Sequence, residues 1–348
     1  MKHENVFAIP LFAVALSALS VNVPAQITVL ADYKQIATIP VPGGLTSFDI
    51  SWVDSSTDRY YSADRASKTK GTGRIDVIDA RQNTFLFSIP SSAAEIGFAG
   101  NLPGGVGGPN GVVAIPQLNQ LYVGDGDSTV KVVDLDARAV VAVIPTGGTK
   151  RADELAYDPL DHIVMIGNPN DNPPFLTFIS TDTQTVLGKL NYPSTQVGLE
   201  QPVWNPQTNR FLISVPAVGT KLGSVDEIDP ITMQMTNSFQ TPSCSPAGLA
   251  LGPIQRVMTS CGTVVDGRIG TILTTVTGPT GDEIWFNPGD NRYYFGAANV
   301  SVVDAETNNI LGYLTTSGGH SIAVNSNNGN IFVPVTGVGI KVFAPVPK

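Results

Sequence analysis

Apolar residues along this chain come in short runs broken by turn residues, and the runs recur in phase. Seven times an opening position leads into an apolar stretch that ends, six residues after that position, in proline or serine. The opening positions are Asp49, Asn110, Asp153, Glu200, Ala247, Asp282 and His320, and the closing ones are Ser55, Pro116, Pro159, Pro206, Pro253, Pro288 and Ser326. Each stretch is followed by a turn and a second run, such as Leu121-Tyr122-Val123-Gly124 or Arg292-Tyr293-Tyr294-Phe295. β-Branched and aromatic residues fill these runs and turn residues bound them, which predicts strands.

A third run ends in an acidic turn in most copies, as in Val130-Lys131-Val132-Val133-Asp134 and Val300-Ser301-Val302-Val303-Asp304. A fourth run follows, as at 140–144, 186–190 and 310–314. Four strands in a unit of roughly 40–50 residues predict a blade, and seven units predict an all-β, seven-bladed β-propeller of antiparallel four-stranded sheets. No helical periodicity competes with this reading. The last unit supplies only three strands and ends in Gly339-Ile340-Lys341-Val342-Phe343. The run Tyr33-Lys34-Gln35-Ile36-Ala37-Thr38-Ile39 is expected to supply the fourth and close the ring, leaving no open sheet edge. The fifth unit is the least regular, with its outer strands expected around 268–276.

Residues 1–25 read as a secretory signal: Lys2, an apolar stretch from Val6 to Val21, then Val23-Pro24-Ala25 before Gln26. The rest, 26–348, is expected to form one domain of a secreted protein, periplasmic if the host is bacterial. No other apolar run approaches the length of a membrane span. Cys244 and Cys261 are the two cysteines. They fall at neighbouring strand ends of the fifth unit, so a disulfide is expected, with two buried thiols as the other possibility. The net charge of −9 and the lack of a basic stripe argue against nucleic-acid binding. Asn299-Val300-Ser301 is a glycosylation sequon.

The Asp158-Pro159, Asn205-Pro206 and Asn287-Pro288 turns, the Val-Val-Asp strand ends and the segment Gly319-His320-Ser321-Ile322-Ala323-Val324 resemble the YVTN/YncE-like propellers. More distantly the chain resembles the gluconolactonase and regucalcin group. In length, signal segment and lack of an appended domain it is also similar to the exported propeller hetero-Diels–Alderases of fungal tropolone–sesquiterpene pathways.

In a propeller every innermost strand starts at one rim of the central channel. Asp49, Asn110, Asp153, Glu200, Asp282 and His320 should therefore form a ring, with Glu154, Gln201 and Glu283 beside them. Carboxylates this close cannot all stay ionised without a partner; repulsion raises some of their pKa values unless a cation or charged His320 offsets it. His320, Asp282, Asp153 and Glu200 are the candidate proton donors and acceptors. Asp49, Asn110, Glu154, Gln201 and Glu283 are candidate substrate contacts. Asp64, Arg65, Asp125, Asp127, Asn168, Asn170 and Asp171 add rim groups, with Arg65 and Arg151 possible anion anchors and Asp125-Gly126-Asp127 expected as a solvated turn. Trp52, Trp204, Trp285, Tyr157 and Phe286 are expected to pack between blades.

Three functions follow as expectations. One is dehydration and cycloaddition of a small molecule, which needs an acid and a pocket but no cofactor. A second is metal-dependent lactone hydrolysis; the resemblance to the gluconolactonase group implies a divalent metal such as calcium on Glu, Asn and Asp, of which Glu200 and Asn110 are examples. The third is non-catalytic binding of a ligand or protein. The chain is expected to be a monomer or weak homo-oligomer.

Overall fold

The computed structural model describes residues 29–66, 68–69, 71–196 and 198–347. The expected signal segment lies outside the described residues. Seven four-stranded antiparallel sheets surround one axis, forming an all-β seven-bladed propeller. Blade 1 comprises Phe48–Asp54, Arg59–Asp64, Arg74–Asp79 and Thr84–Ile89, counted outward from the axis. Blades 2 to 6 begin with the inner strands Val112–Ile115, Leu155–Asp158, Pro202–Asn205, Leu249–Leu251 and Ile284–Asn287, and blade 7 begins with Ala323–Val324. In blade 5 the outer strands are Thr263–Asp266 and Ile272–Thr275, so the third lies earlier than the sequence suggested.

The turns explain the repeat. The Asp or Asn that ends an inner strand accepts a backbone N–H two residues on: Asp54 from Ser56, Asp158 from Leu160, Asn205 from Gln207 and Asn287 from Gly289. The aspartates that end third strands do the same, Asp79 for Arg81 and Asp134 for Asp136. These side chains stand in for the next backbone carbonyl and fix the turn. The inner turns of blades 1, 2, 3, 4 and 6 each hold one left-handed non-glycine residue, Asp58, Asn119, His162, Asn209 and Asn291, and that of blade 5 holds two, Ile254 and Gln255. His162 thus has a turn-forming place between the first two strands of blade 3.

Blade 7 closes the ring as expected. Tyr33–Ile39 pairs with Gly339–Pro345, with Ala37 opposite Val342 and a bulge between Gln35 and Ala37. Ile39, Phe48, Phe332, Ile340 and Val342 pack at the seam with blade 1. Each pair of neighbouring blades shares such an apolar layer, so burial runs around the ring while the outer strands stay largely exposed. Cys244 and Cys261 are bonded, 17 residues apart with Cα atoms at 5.8 Å.

Two stability predictions follow. Ile340→Ala removes a fully buried seam residue and should cost about 2–5 kcal/mol by urea unfolding; a loss well under 1 kcal/mol would mean that the seam does not hold the ring. Reducing the disulfide should lower stability by about 3 kcal/mol, the entropy of closing a loop of this length. Thiol labelling of the unreduced protein should find no reactive cysteine.

Candidate functional site

The inner strands of blades 2 to 6 start two residues after their opening positions, so Asn110, Asp153, Glu200, Ala247 and Asp282 sit on the rim just before the strands. Asp49 lies inside the first strand of blade 1, and His320 precedes the inner strand of blade 7. The ring is therefore assembled, and its charges are linked. His320 Nε2 lies 2.9 Å from Asp49 Oδ1. Arg65 donates to the other Asp49 oxygen and to Asn110 Oδ1. Asn110 Nδ2 donates to the Ala152 carbonyl at 2.9 Å, and Arg151 pairs with Asp153 at 2.7 Å. Arg65 and Arg151 are thus the counter-charges of the ring. They come from second-strand and connecting loops, which the repeat alone does not align with the opening positions.

This arrangement sorts the carboxyls. Burial alone would raise Asp49, but Arg65 and then His320 outweigh it and hold the carboxyl at about 2. Asp153 goes the other way: burial and the charges of Asp49 and Glu200 outweigh Arg151 and push it up to about 7. Burial raises Glu200 as well. For His320, burial opposes charging, yet the bond to Asp49 and the charges of Asp49 and Asp282 push its pKa up. Asp282 is exposed at the rim. With His320 it borders a shallow cavity of about 360 Å³ over Thr280–Asp282, Gly296–Ala298 and Gly319–His320.

The deeper space lies beneath the ring. A cavity of about 500 Å³ occupies the channel, and Glu154, Gln201, Glu283 and Ser51 line its ring end. Pro116, Gln117 and Pro159, from the turns of the opposite rim, line its other end. Trp52, Tyr157, Trp204, Trp285 and Phe286 line its walls. These rings also pack on the inter-blade layers, but packing between blades is only half of their role, and the sequence expectation is corrected to that extent. Trp52 of blade 1 and Trp285 of blade 6 meet edge to face at 5.2 Å. The small side chain of Ala323 occupies the intervening inner strand of blade 7. Among the described residues, Glu154 and Glu283 are the only carboxyls on the cavity wall, and no Lys, Arg or His lines it. Burial pushes both well above the usual carboxylate range, and the charge of Glu283 adds to the shift at Glu154.

Gln201 lines the cavity, but its amide is engaged. Its oxygen accepts from the Leu249 and Ile284 N–H groups at 2.8 and 3.0 Å, and its nitrogen donates to the Ile284 carbonyl at 3.1 Å. It ties blade 4 to blades 5 and 6. Neighbouring blade 5 has glycine at the equivalent position, Gly248, where a Cβ would press on the Glu283 backbone at 2.8 Å.

Other rim expectations change. Asp125 is fully buried and bound to Lys131, which also reaches Asp127 at 3.3 Å, so Asp125-Gly126-Asp127 is an ion-paired turn in which only Asp127 faces solvent. Asp64 is buried against Arg74 at 2.7 Å and faces no ligand space. Asn168 is buried against Ser128, and Asp171 caps the Thr149 amide. Among the described residues, no three His, Cys, Asp or Glu side chains gather as a metal-holding group. Of the ring donors, Asp49, Asn110 and Asp153 are engaged with Arg65, Arg151, His320 and the Ala152 carbonyl.

No protein-family model matches the chain, and no curated protein matches it. Solved structures match broadly, 1501 chains in all, and a fold so widely used selects no activity. One match is a chain of the crystal structure of the mitotic checkpoint complex, at 12% identity and a TM-score of 0.67, with 99% of each chain covered. At that identity the likeness shows the fold alone.

The raised carboxyls predict an unusual pH response. Asp153, Glu154 and Glu283 hold protons in the folded state that the unfolded chain releases above about pH 4, and His320 shares this sign because its folded pKa is also raised. The folded state then binds more protons than the unfolded one, so stability should fall as pH rises from about 5 to 8. Asp49 has the opposite sign, but its contribution is lost only below this window. Urea midpoints measured across the window should decrease, and Glu154→Gln should flatten the decrease. A midpoint that rises steadily to pH 8 would show that these carboxyls are ionised in the fold.

Proposed function

We propose that the channel is the active site of a small-molecule enzyme, and that Glu154 and Glu283 carry out acid–base chemistry on the polar end of a largely apolar substrate. The observation that carries this reading is the division of the cavity: two carboxyls at one end, Glu283 buried and Glu154 half-buried, and five aromatic side chains along the walls. A carboxylic acid kept neutral by burial can protonate a leaving hydroxyl, and its neighbour, once ionised, can accept the proton released elsewhere on the substrate. The sum is loss of water to give a conjugated, electrophilic alkene. The aromatic walls exclude water and hold that alkene against an olefin at near-attack distance, so that ring closure needs neither nucleophile nor metal. Dehydration followed by cycloaddition is the reaction this arrangement fits best.

The reading moves the proton chemistry from His320, Asp282, Asp153 and Glu200 to the next position along the inner strands. The ring residues become the electrostatic support of that pair: Asp49 is held ionised beside Arg65, and its charge helps to keep Glu154 neutral. The disulfide supports an oxidising compartment, in keeping with export.

All three tryptophans of the chain line the channel, so tryptophan emission reports its occupancy. An ortho-hydroxybenzyl alcohol should change that emission and, with a cyclic olefin present, give a dihydropyran detectable by mass spectrometry. Glu283→Gln should keep the emission change and lower turnover by about 100-fold or more, as expected for loss of a general acid, while chelators leave the rate unchanged. Binding without product in the wild type would instead favour the non-catalytic ligand-binding propeller. Undiminished turnover in both Glu283→Gln and Glu154→Gln would place the chemistry elsewhere.

A further inference from the structure

The internal repeat acts as its own control, and blade 1 departs from it in one row. At the second position after the opening residue, blades 2, 3, 4 and 6 carry apolar residues paired with apolar partners on the second strand: Val112 with Val123, Leu155 with Ile166, Pro202 with Ile213 and Ile284 with Phe295. Blade 1 has Ser51 paired with Ser62. Ser62 is in turn opposite Asp76, and Asp76 opposite Ser88 on the outer strand. One polar row thus crosses the whole blade.

The row connects at both ends. On the channel side Ser51 Oγ lies 2.8 Å from Ser321 Oγ, which also accepts the Ser51 N–H at 2.8 Å. Ser321 interacts with the Glu283 carboxyl. On the outer side the Ser88 hydroxyl donates to Asp76 at 2.6 Å, and Ser88 is partly exposed. Between them the Tyr60 hydroxyl lies beside both Ser51 and Ser62. Ser321, Tyr60, Ser62 and Asp76 are fully buried, and Ser51 and Glu283 nearly so. Yet Tyr60 Oη, Ser62 Oγ, Asp76 Oδ2 and Glu283 Oε1 have no hydrogen-bond partner. Buried groups left in this way cost stability and call for an explanation that packing does not give.

We propose that this row is a proton path joining the Glu283 carboxyl to water at the outer strand of blade 1, through Ser321, Ser51, Tyr60, Ser62, Asp76 and Ser88. It rests on the reading of Glu283 as the channel acid. A substrate that fills the channel shuts Glu283 off from water, so a spent carboxylate needs another source of protons. The carboxylate takes a proton from Ser321, each hydroxyl takes one from the next along the row, Asp76 supplies the last, and water at Ser88 refills Asp76. Every step breaks one O–H bond and forms one, and nothing is oxidised or reduced.

The test uses the infrared carbonyl band of the Glu283 carboxylic acid, assigned by its loss in Glu283→Gln, and follows its shift after mixing into heavy water. The channel is filled with 1-adamantanol, whose occupancy is read from tryptophan emission. Exchange should be slower by an order of magnitude or more in Ser51→Ala/Ser62→Ala than in the wild type. Tyr60→Phe should give the same slowing, and it carries the test if the double variant does not fold. Ser62→Ala alone should leave the urea midpoint unchanged or higher, since it deletes an unpartnered hydroxyl. Equal exchange rates with the channel filled would overturn the path and leave the channel reading intact. If 1-adamantanol does not alter the emission, or Glu283→Gln removes no carboxylic acid band, the channel reading fails and the path fails with it.

Discussion

Seven inner strands converge on one axis, so the side chains that open them share a small volume, and carboxylates placed there repel one another as water is excluded. Everything else about this rim answers that constraint. Arg65 and Arg151 enter from loops outside the repeat and pair with Asp49 and Asp153. His320 bonds to Asp49, which favours its charged form. A buried carboxylate deprived of its partner costs several kcal/mol, so these pairs hold the mouth together as well as setting its potential.

The cations are fewer than the acids they face, and Arg151 alone is shared by Asp153, Asp49, Glu200 and Glu154. Asp49 therefore stays ionised, while the carboxyls one residue further in, Glu154 and Glu283, are pushed toward their neutral forms. The same sequence step that takes a side chain from rim to channel also takes it from paired to unpaired surroundings. A carboxylic acid next to an apolar cavity follows from that gradient, with no special motif required. The aromatic walls then decide what meets the acid: a molecule able to leave water, with its polar end toward the ring.

The departures from sevenfold symmetry hold the functional information. Blade 5 lacks a polar opening residue, and Gly248 brings its inner strand close to blade 6, while Gln201 binds the strands of both. Ala323 in blade 7 lets Trp52 and Trp285 meet across it. Blade 1 alone carries the serine pair that continues into Asp76. A repeat needs none of these changes to fold.

The period of apolar runs, the Asp and Asn turns and the unequal chain ends determined the propeller, its seven blades and its closure by Tyr33–Ile39, because each is a local signal repeated until it is unambiguous. The ring of Asp49, Asn110, Asp153, Glu200, Asp282 and His320 was legible for the same reason: equal positions in a repeat become neighbours around an axis. What the sequence did not determine was which polar groups would be spent on one another. Arg65 meeting Asp49, Arg74 meeting Asp64 and Lys131 meeting Asp125 depend on loop paths and strand pairings that no spacing encodes. Nor did alternation say that Trp52, Trp204 and Trp285 would face the channel while packing against the blades, since a residue near the axis can touch both. Tertiary structure decided these points, because burial and charge belong to the surroundings of a side chain and not to its place in the chain.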